Sequence, residues 1–179
     1  LKLVALLHEA GLPDGVVNIV TCSRHEAELF LTHPDVKGVT LVGSTKIGRH
    51  IYAIAAANGK RVQALCEAKN HALVLEDAPI ERTAAGILNS SFGCAGERCM
   101  ALPVVVVQES IADELVAEIL KQIKTKKIGP AYDKETDLGP VVTAEHKKFV
   151  CDWIAKGVEE GADLILDGRD IVVPGYENG

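Results

Sequence analysis

Apolar positions along the chain recur with two different periods, and their alternation lays out the elements. Leu3, Leu6 and Leu7 form a helical stripe that stops at Gly11, with Pro13 two residues beyond. Val16–Val20 reads as a short strand. Ser23, with Glu26 three residues later, has the form of a capping box and opens a short helix. The run Gly38–Gly43 reads as a buried strand. It passes directly into Ser44-Thr45-Lys46-Ile47-Gly48 and a helix with Ile47, Ile51, Ile54 and Ala55 on one face. Val62–Leu65 and Ala72–Leu75 read as further strands.

Downstream, Asp77 with Pro79 behind it starts a helix that ends near Ser91. Val104–Gln108 is rich in β-branched residues and reads as a strand. Ser110 then caps a helix whose Ile111, Leu115, Val116, Ile119, Leu120 and Ile123 recur at helical spacing. Thr143 opens a second amphipathic helix through Phe149, Val150, Trp153, Ile154 and Val158, which ends at Gly161, and Trp153 on its apolar stripe reads as core. Leu164–Leu166 reads as a last strand. Strands that alternate with helices imply an α/β fold with a largely parallel sheet.

Composition narrows the function classes. The 179 residues are 47% hydrophobic but only 4% aromatic, so the core is built from Ala, Val, Ile and Leu, as suits a helix-covered parallel sheet. A net charge of −6 lacks the electrostatic footprint of a nucleic-acid binder. The apolar run Met100–Val107 is broken by Pro103 and is too short to span a bilayer, so no membrane contact is expected. No signal-peptide pattern opens the chain. Five cysteines without metal-ligand spacing read as reduced, mostly buried thiols of a cytoplasmic or mitochondrial-matrix protein, and no metal is expected. The basic run Lys121–Lys127 reads as a solvated helix end. Leu1 falls within helix-like sequence and Gly179 follows a turn, so the chain reads as a piece of a longer polypeptide.

Two places carry candidate chemistry. A helix beginning where a parallel strand ends aims unpaired N–H groups at whatever lies there, and Ser44 and Thr45 add hydroxyls suited to phosphate oxygens. The same pattern also serves a plain helix cap. The second place is Phe92-Gly93-Cys94-Ala95-Gly96-Glu97-Arg98-Cys99-Met100-Ala101. Its small residues admit a substrate closely, backbone N–H groups there can hold an oxyanion, and a thiolate in positive surroundings attacks carbonyls. Cys99 stands beside Arg98. Spacing alone leaves Cys94 open as the reactive thiol, and a buried structural cysteine is the commoner fate of either.

The strings LVGSTKIG, CEAKNHALVLEDA and FGCAGERCMA together resemble the aldehyde dehydrogenase superfamily over essentially the whole chain. The AKNH tetrapeptide at Ala68–His71 and GERCMA at Gly96–Ala101 resemble its CoA-acylating branch, the methylmalonate-semialdehyde (malonate-semialdehyde) dehydrogenases. The resemblance implies a Rossmann-type NAD domain, of which residues 1–67 are the second half, followed at 68–179 by the first part of a catalytic domain. It implies a small aldehyde substrate, NAD as cofactor, coenzyme A as co-substrate and a homo-oligomeric parent. Cys99 then matches the nucleophile, Ser44 the residue on the NAD pyrophosphate, and Cys66 a position whose backbone lies near the nicotinamide.

Departures from the family are equally specific. Hydrolytic members carry a water-activating glutamate four residues before the motif lysine. Here that lysine is Lys69 and the position holds Leu65, which cannot accept a proton. That loss fits an acyl-enzyme taken by CoA, whose thiol needs less activation than water. Glu67 stands where the family has glycine; it crowds the nicotinamide, turns aside, or lends a carboxylate. Family members are also much longer, so the alternative is an isolated fragment without activity, serving as a structural or interaction module.

Overall fold

Two parallel strand pairs organise the chain, each with its own helices. The structure is a computed structural model that describes residues 1–177, and it divides into two units, Leu1–Glu67 and Ala68–Gly179.

The first unit contains α1 (Lys2–Glu9), α2 (Arg24–Ala27), α3 (Leu29–Thr32), β1 (Gly38–Val42), α4 (Thr45–Ala57) and β2 (Arg61–Leu65). β1 and β2 pair in parallel from Gly38↔Arg61 to Val42↔Leu65, with α4 as the crossover that parallel strands require. Alternation sets the faces: Val39, Leu41, Val62 and Ala64 are half-buried, whereas Val42 and Leu65 are exposed. α4 seats Gly48 and Ala55 fully inside. Ser23 and Glu26 form the expected reciprocal capping box at α2. α3 has no marked sequence signal, yet it buries Leu31. Lys60, in the turn before β2, is buried and donates from Nζ to the carbonyls of His33 and Val36, both at 2.6 Å.

Val16–Val20 is irregular, not a strand. A strand exists only where another backbone completes its ladder, and no described residue pairs with this segment; Val16 and Val20 are exposed.

The second unit contains β3 (His71–Val74), α5 (Ile80–Phe92), an irregular turn at Gly93–Gly96, β4 (Val104–Val107), α6 (Glu109–Ile123) and α7 (Ala144–Glu159). β3 and β4 pair in parallel from His71↔Val104 to Val74↔Val107. Val74, Ala84, Ile87 and Leu115 form the core, with Val105, Val107, Ile111 and Ile119 packed against it. The periodic apolar positions of α6 therefore do what their spacing implies.

Several boundaries differ from the sequence reading. α5 begins at Ile80 with Pro79 as N-cap, not at Asp77, since the proline ring disfavours helical backbone at the preceding residue, Ala78. α6 starts one residue before Ser110, with Gln108 at the N-cap. Leu164–Leu166 is irregular and exposed, again without a ladder partner among the described residues. Trp153 is 56% exposed: no residue of α7 is buried, so its apolar stripe faces outward. The basic run is more than a solvated end, because Lys126 pairs with Asp137 and Lys127 with Asp133, fastening the loop that carries the Ile128–Leu138 bridge. None of the five thiols is buried: Cys22, Cys94 and Cys99 are exposed, Cys66 and Cys151 half-buried. No described helix is long and apolar enough to cross a membrane.

Candidate active site

At the carboxyl end of β1 the chain turns through Gly43, whose N–H donates to the Leu65 carbonyl, and enters α4. Ser44 is the N-cap. The Ile47 N–H donates to Ser44 Oγ at 3.4 Å, and Gly48 N–H donates to the Ser44 carbonyl at 2.8 Å. Ser44 still has its hydroxyl proton to give, and the N–H groups of Thr45 and Lys46 lie in the first turn, beyond reach of any carbonyl inside the helix. The cap and the anion-facing reading are thus compatible: one hydroxyl oxygen closes the helix while its proton stays free.

Cys66 and Glu67 follow the end of β2. The Cys66 sulfur packs against Gly48, so a Cβ at that position would collide with it. β2 stops at Leu65, so strand alternation does not fix the direction of Glu67. Its carboxylate instead accepts from Thr45 Oγ1 at 2.7 Å, at the first residue of α4. An anion is favoured there by the helix dipole.

In the second unit the cysteine loop has two halves of opposite character. Cys94 and Ala95 adopt left-handed backbone, φ 53° and 54°, followed by Gly96 at 76°. Arg98 folds back so closely over Gly93 that a Cβ there would lie 2.7 Å from its Nη1, and its Nε donates to Cys94 Sγ at 3.3 Å. The guanidinium adjacent to Cys99 in sequence is therefore directed to Cys94. Cys99 is exposed, and its sulfur has no hydrogen-bond partner among the described residues. Its backbone is held instead: Asn70 Nδ2 donates to the carbonyls of Cys99 at 3.0 Å and Ala101 at 2.8 Å. Glu97 is tied to His146 of α7 at 3.1 Å.

The sequence pattern marks Asn70 only as part of AKNH, without a role, and pairs neither Thr45 with Glu67 nor Glu97 with His146. The available signal was thin, since an asparagine just before a strand is ordinary and the Glu97–His146 contact spans distant positions.

The aldehyde dehydrogenase family profile matches residues 1–179. The chain belongs to the aldehyde dehydrogenase family. Among the relatives of this family member, malonate-semialdehyde dehydrogenase 1 of Oceanobacillus iheyensis is 46% identical over 95% of the chain and 35% of its own length. The malonate-semialdehyde dehydrogenase of Pseudomonas aeruginosa is 44% identical over 100% of the chain and 36% of its own length. The methylmalonate-semialdehyde dehydrogenase structure from Oceanimonas doudoroffii matches with TM-score 0.95 and 44% identity, over 100% of this chain and 37% of that one. A Sinorhizobium meliloti 1021 protein, described as a methylmalonate-semialdehyde dehydrogenase and complexed with NAD, matches with TM-score 0.94 and 42% identity, over 99% of this chain and 36% of that one. The chain thus spans about a third of the length of the curated relatives it matches. The aldehyde dehydrogenase fold expected from the sequence is the fold observed, in partial extent.

Proposed function

We propose that the native gene product carrying this chain oxidises a small semialdehyde, malonate or methylmalonate semialdehyde, in an NAD-dependent, CoA-acylating reaction. Residues 1–67 belong on this reading to the NAD domain and residues 68–179 to the catalytic domain. The observation that carries the reading is the state of Cys99: an exposed residue whose sulfur has no hydrogen-bond partner among the described residues, on backbone held by Asn70, within the GERCMA run. Cys94, by contrast, has its sulfur engaged by Arg98.

As a thiolate, Cys99 adds to the aldehyde carbon, giving a thiohemiacetal whose oxyanion is stabilised by nearby backbone N–H groups. When bound, NAD accepts the hydride whose loss converts the thiohemiacetal to a thioester. The residues present fit that cofactor: Ser44 offers a free hydroxyl proton and α4 its unclaimed first-turn N–H groups to a pyrophosphate, and on the family resemblance the Cys66 backbone would face the nicotinamide. Leu65 provides no base for water, so the thioester passes to the thiol of CoA, releasing Cys99.

The test is NADH formation by the native gene product with each semialdehyde, with and without CoA. Cys99→Ser abolishes it and CoA accelerates turnover. A CoA-independent rate equal to the CoA-dependent one would refute acyl transfer to CoA. For the 179 residues alone we infer no turnover, since they span only about a third of the length of the curated relatives they match.

A further inference from the structure

We propose that Asn70 is the positioning residue for the Cys99 nucleophile, an inference that rests on the role of Cys99 given above. Asn70 immediately precedes β3, and the β3–β4 register begins at His71↔Val104. The parallel pairing therefore sets Asn70 beside the residues that lead into β4. From there its side-chain nitrogen donates to two carbonyls, that of Cys99 at 3.0 Å and that of Ala101 at 2.8 Å. An amide nitrogen has two protons, so both are engaged.

The consequence lies in the two peptide planes on either side of Cys99. The preceding one, Arg98–Cys99, has its carbonyl turned inward to accept from the Ala101 N–H at 3.0 Å. The following one, Cys99–Met100, has its carbonyl held by Asn70. The described chain has no cis peptide, and trans peptides are planar. Two fixed planes determine φ and ψ at Cys99, and with them the direction of the bond that carries its sulfur. Further along, Ser91 Oγ donates to the Leu102 carbonyl at 2.6 Å and the Leu102 N–H to the Ser90 carbonyl at 3.4 Å, anchoring the segment to α5. The exposed thiol is thus aimed by its backbone, since no side chain among the described residues touches it with a hydrogen bond. Aim matters because a displacement of about 1 Å from attacking geometry costs on the order of a hundredfold in rate.

The donor, not the volume, is what the proposal requires, and Asn70→Asp separates the two. Aspartate has nearly the same shape, but at neutral pH it presents oxygens to the two carbonyls and no proton. In the native gene product, assayed per correctly folded molecule, Asn70→Asp and Asn70→Ala both lower kcat by roughly ten- to a hundredfold while KM for NAD stays within about twofold. Asn70→Ser, which keeps one shorter donor, lies between them and wild type. Wild-type kcat in Asn70→Asp, beside an inactive Cys99→Ser, overturns the proposal and leaves the nucleophile reading standing. Loss in Asn70→Ala with wild-type kcat in Asn70→Asp also overturns it, assigning Asn70 to space filling. Retained turnover in Cys99→Ser overturns the reading beneath, and the proposal with it. Where Asn70→Ala and Asn70→Asp fail to fold, Asn70→Ser decides: unchanged kcat overturns the proposal and a selective kcat loss supports it.

Discussion

The sulfur of Cys66 lies where a side chain on Gly48 would have to be. The helix that opens with the Ser44 cap can approach β2 only because its fourth residue has no Cβ. Alanine at an interior helix position ordinarily gains about 1 kcal/mol over glycine. At Gly48 overpacking reverses the sign, and Gly48→Ala is expected to destabilise the first unit by about 1–3 kcal/mol. Adding Cys66→Ala removes the colliding atom, and the two remaining neighbours, Ala64 Cβ at 3.6 Å and the Cβ of residue 66 at 4.0 Å, are in ordinary contact. Urea unfolding of both single variants and the double variant measures the coupling; equal losses for Gly48→Ala in either background would refute the packing account.

Glu67 brings a negative charge to the first turn of α4 through its bond with Thr45, beside the proposed pyrophosphate contact at Ser44. Like charges repel there, so Glu67→Gln and Glu67→Gly are each expected to tighten NAD binding severalfold at low salt. The gap between variant and wild type should narrow as salt screens the charge. Calorimetric titration of the native gene product with NAD at two ionic strengths checks both parts. Weaker binding by Glu67→Gln would assign Glu67 a supporting role instead.

Much of the fold could be read in the chain because its signals are local. The Ser23–Glu26 capping box, the Thr143 cap and the apolar periodicity of α6 each depend on residues within a few positions of one another. Val16–Val20, Leu164–Leu166 and Trp153 misled for the opposite reason. Their composition suits strand or core, but a strand needs a partner ladder and a buried tryptophan needs something above it. The cysteine loop was legible as a place, whereas the assignment of Arg98 to Cys94 was not. It depends on three consecutive left-handed residues that bend the chain back, and two of them are not glycine.

Lys60 is expected to be the costliest surface-type residue to replace in the first unit. Its ammonium satisfies the carbonyls of His33 and Val36 from a buried position. Lys60→Met keeps the aliphatic stem but leaves the Val36 carbonyl without that donor, the His33 carbonyl still accepting from the Val36 N–H, a loss of about 1–3 kcal/mol. Thermal melts of Lys60→Met against Lys2→Met, an exposed site, provide the comparison.

Acid is expected to loosen the loop between α6 and α7 before the core. The Asp137 carboxyl is held below its ordinary value of 3.8, first by the Lys127 N–H and then by Lys126. Asp133 is held down as well, chiefly by the Glu135 N–H. A carboxyl whose folded pKa is depressed contributes stability above the ordinary value, and that contribution fades as pH falls through the lower folded one. The protection of the Lys127 amide, measured against its intrinsic exchange rate at the same pH, should therefore fall below about pH 4 while the β3–β4 amides remain protected. Unchanged protection at Lys127 would show that the carboxylate does not hold the loop.

The burial of Lys60 also makes its peptide bond a reporter of opening. Trypsin must take a lysine side chain into its own pocket, and this one is enclosed and bound at two carbonyls. Cleavage after Lys60 in brief digestion marks molecules whose first unit has already come apart, whereas cleavage after an exposed lysine such as Lys2 carries no such information. Reagents that acylate lysine amines obey the same restriction, so the fraction of Lys60 modified in a short pulse counts open chains directly.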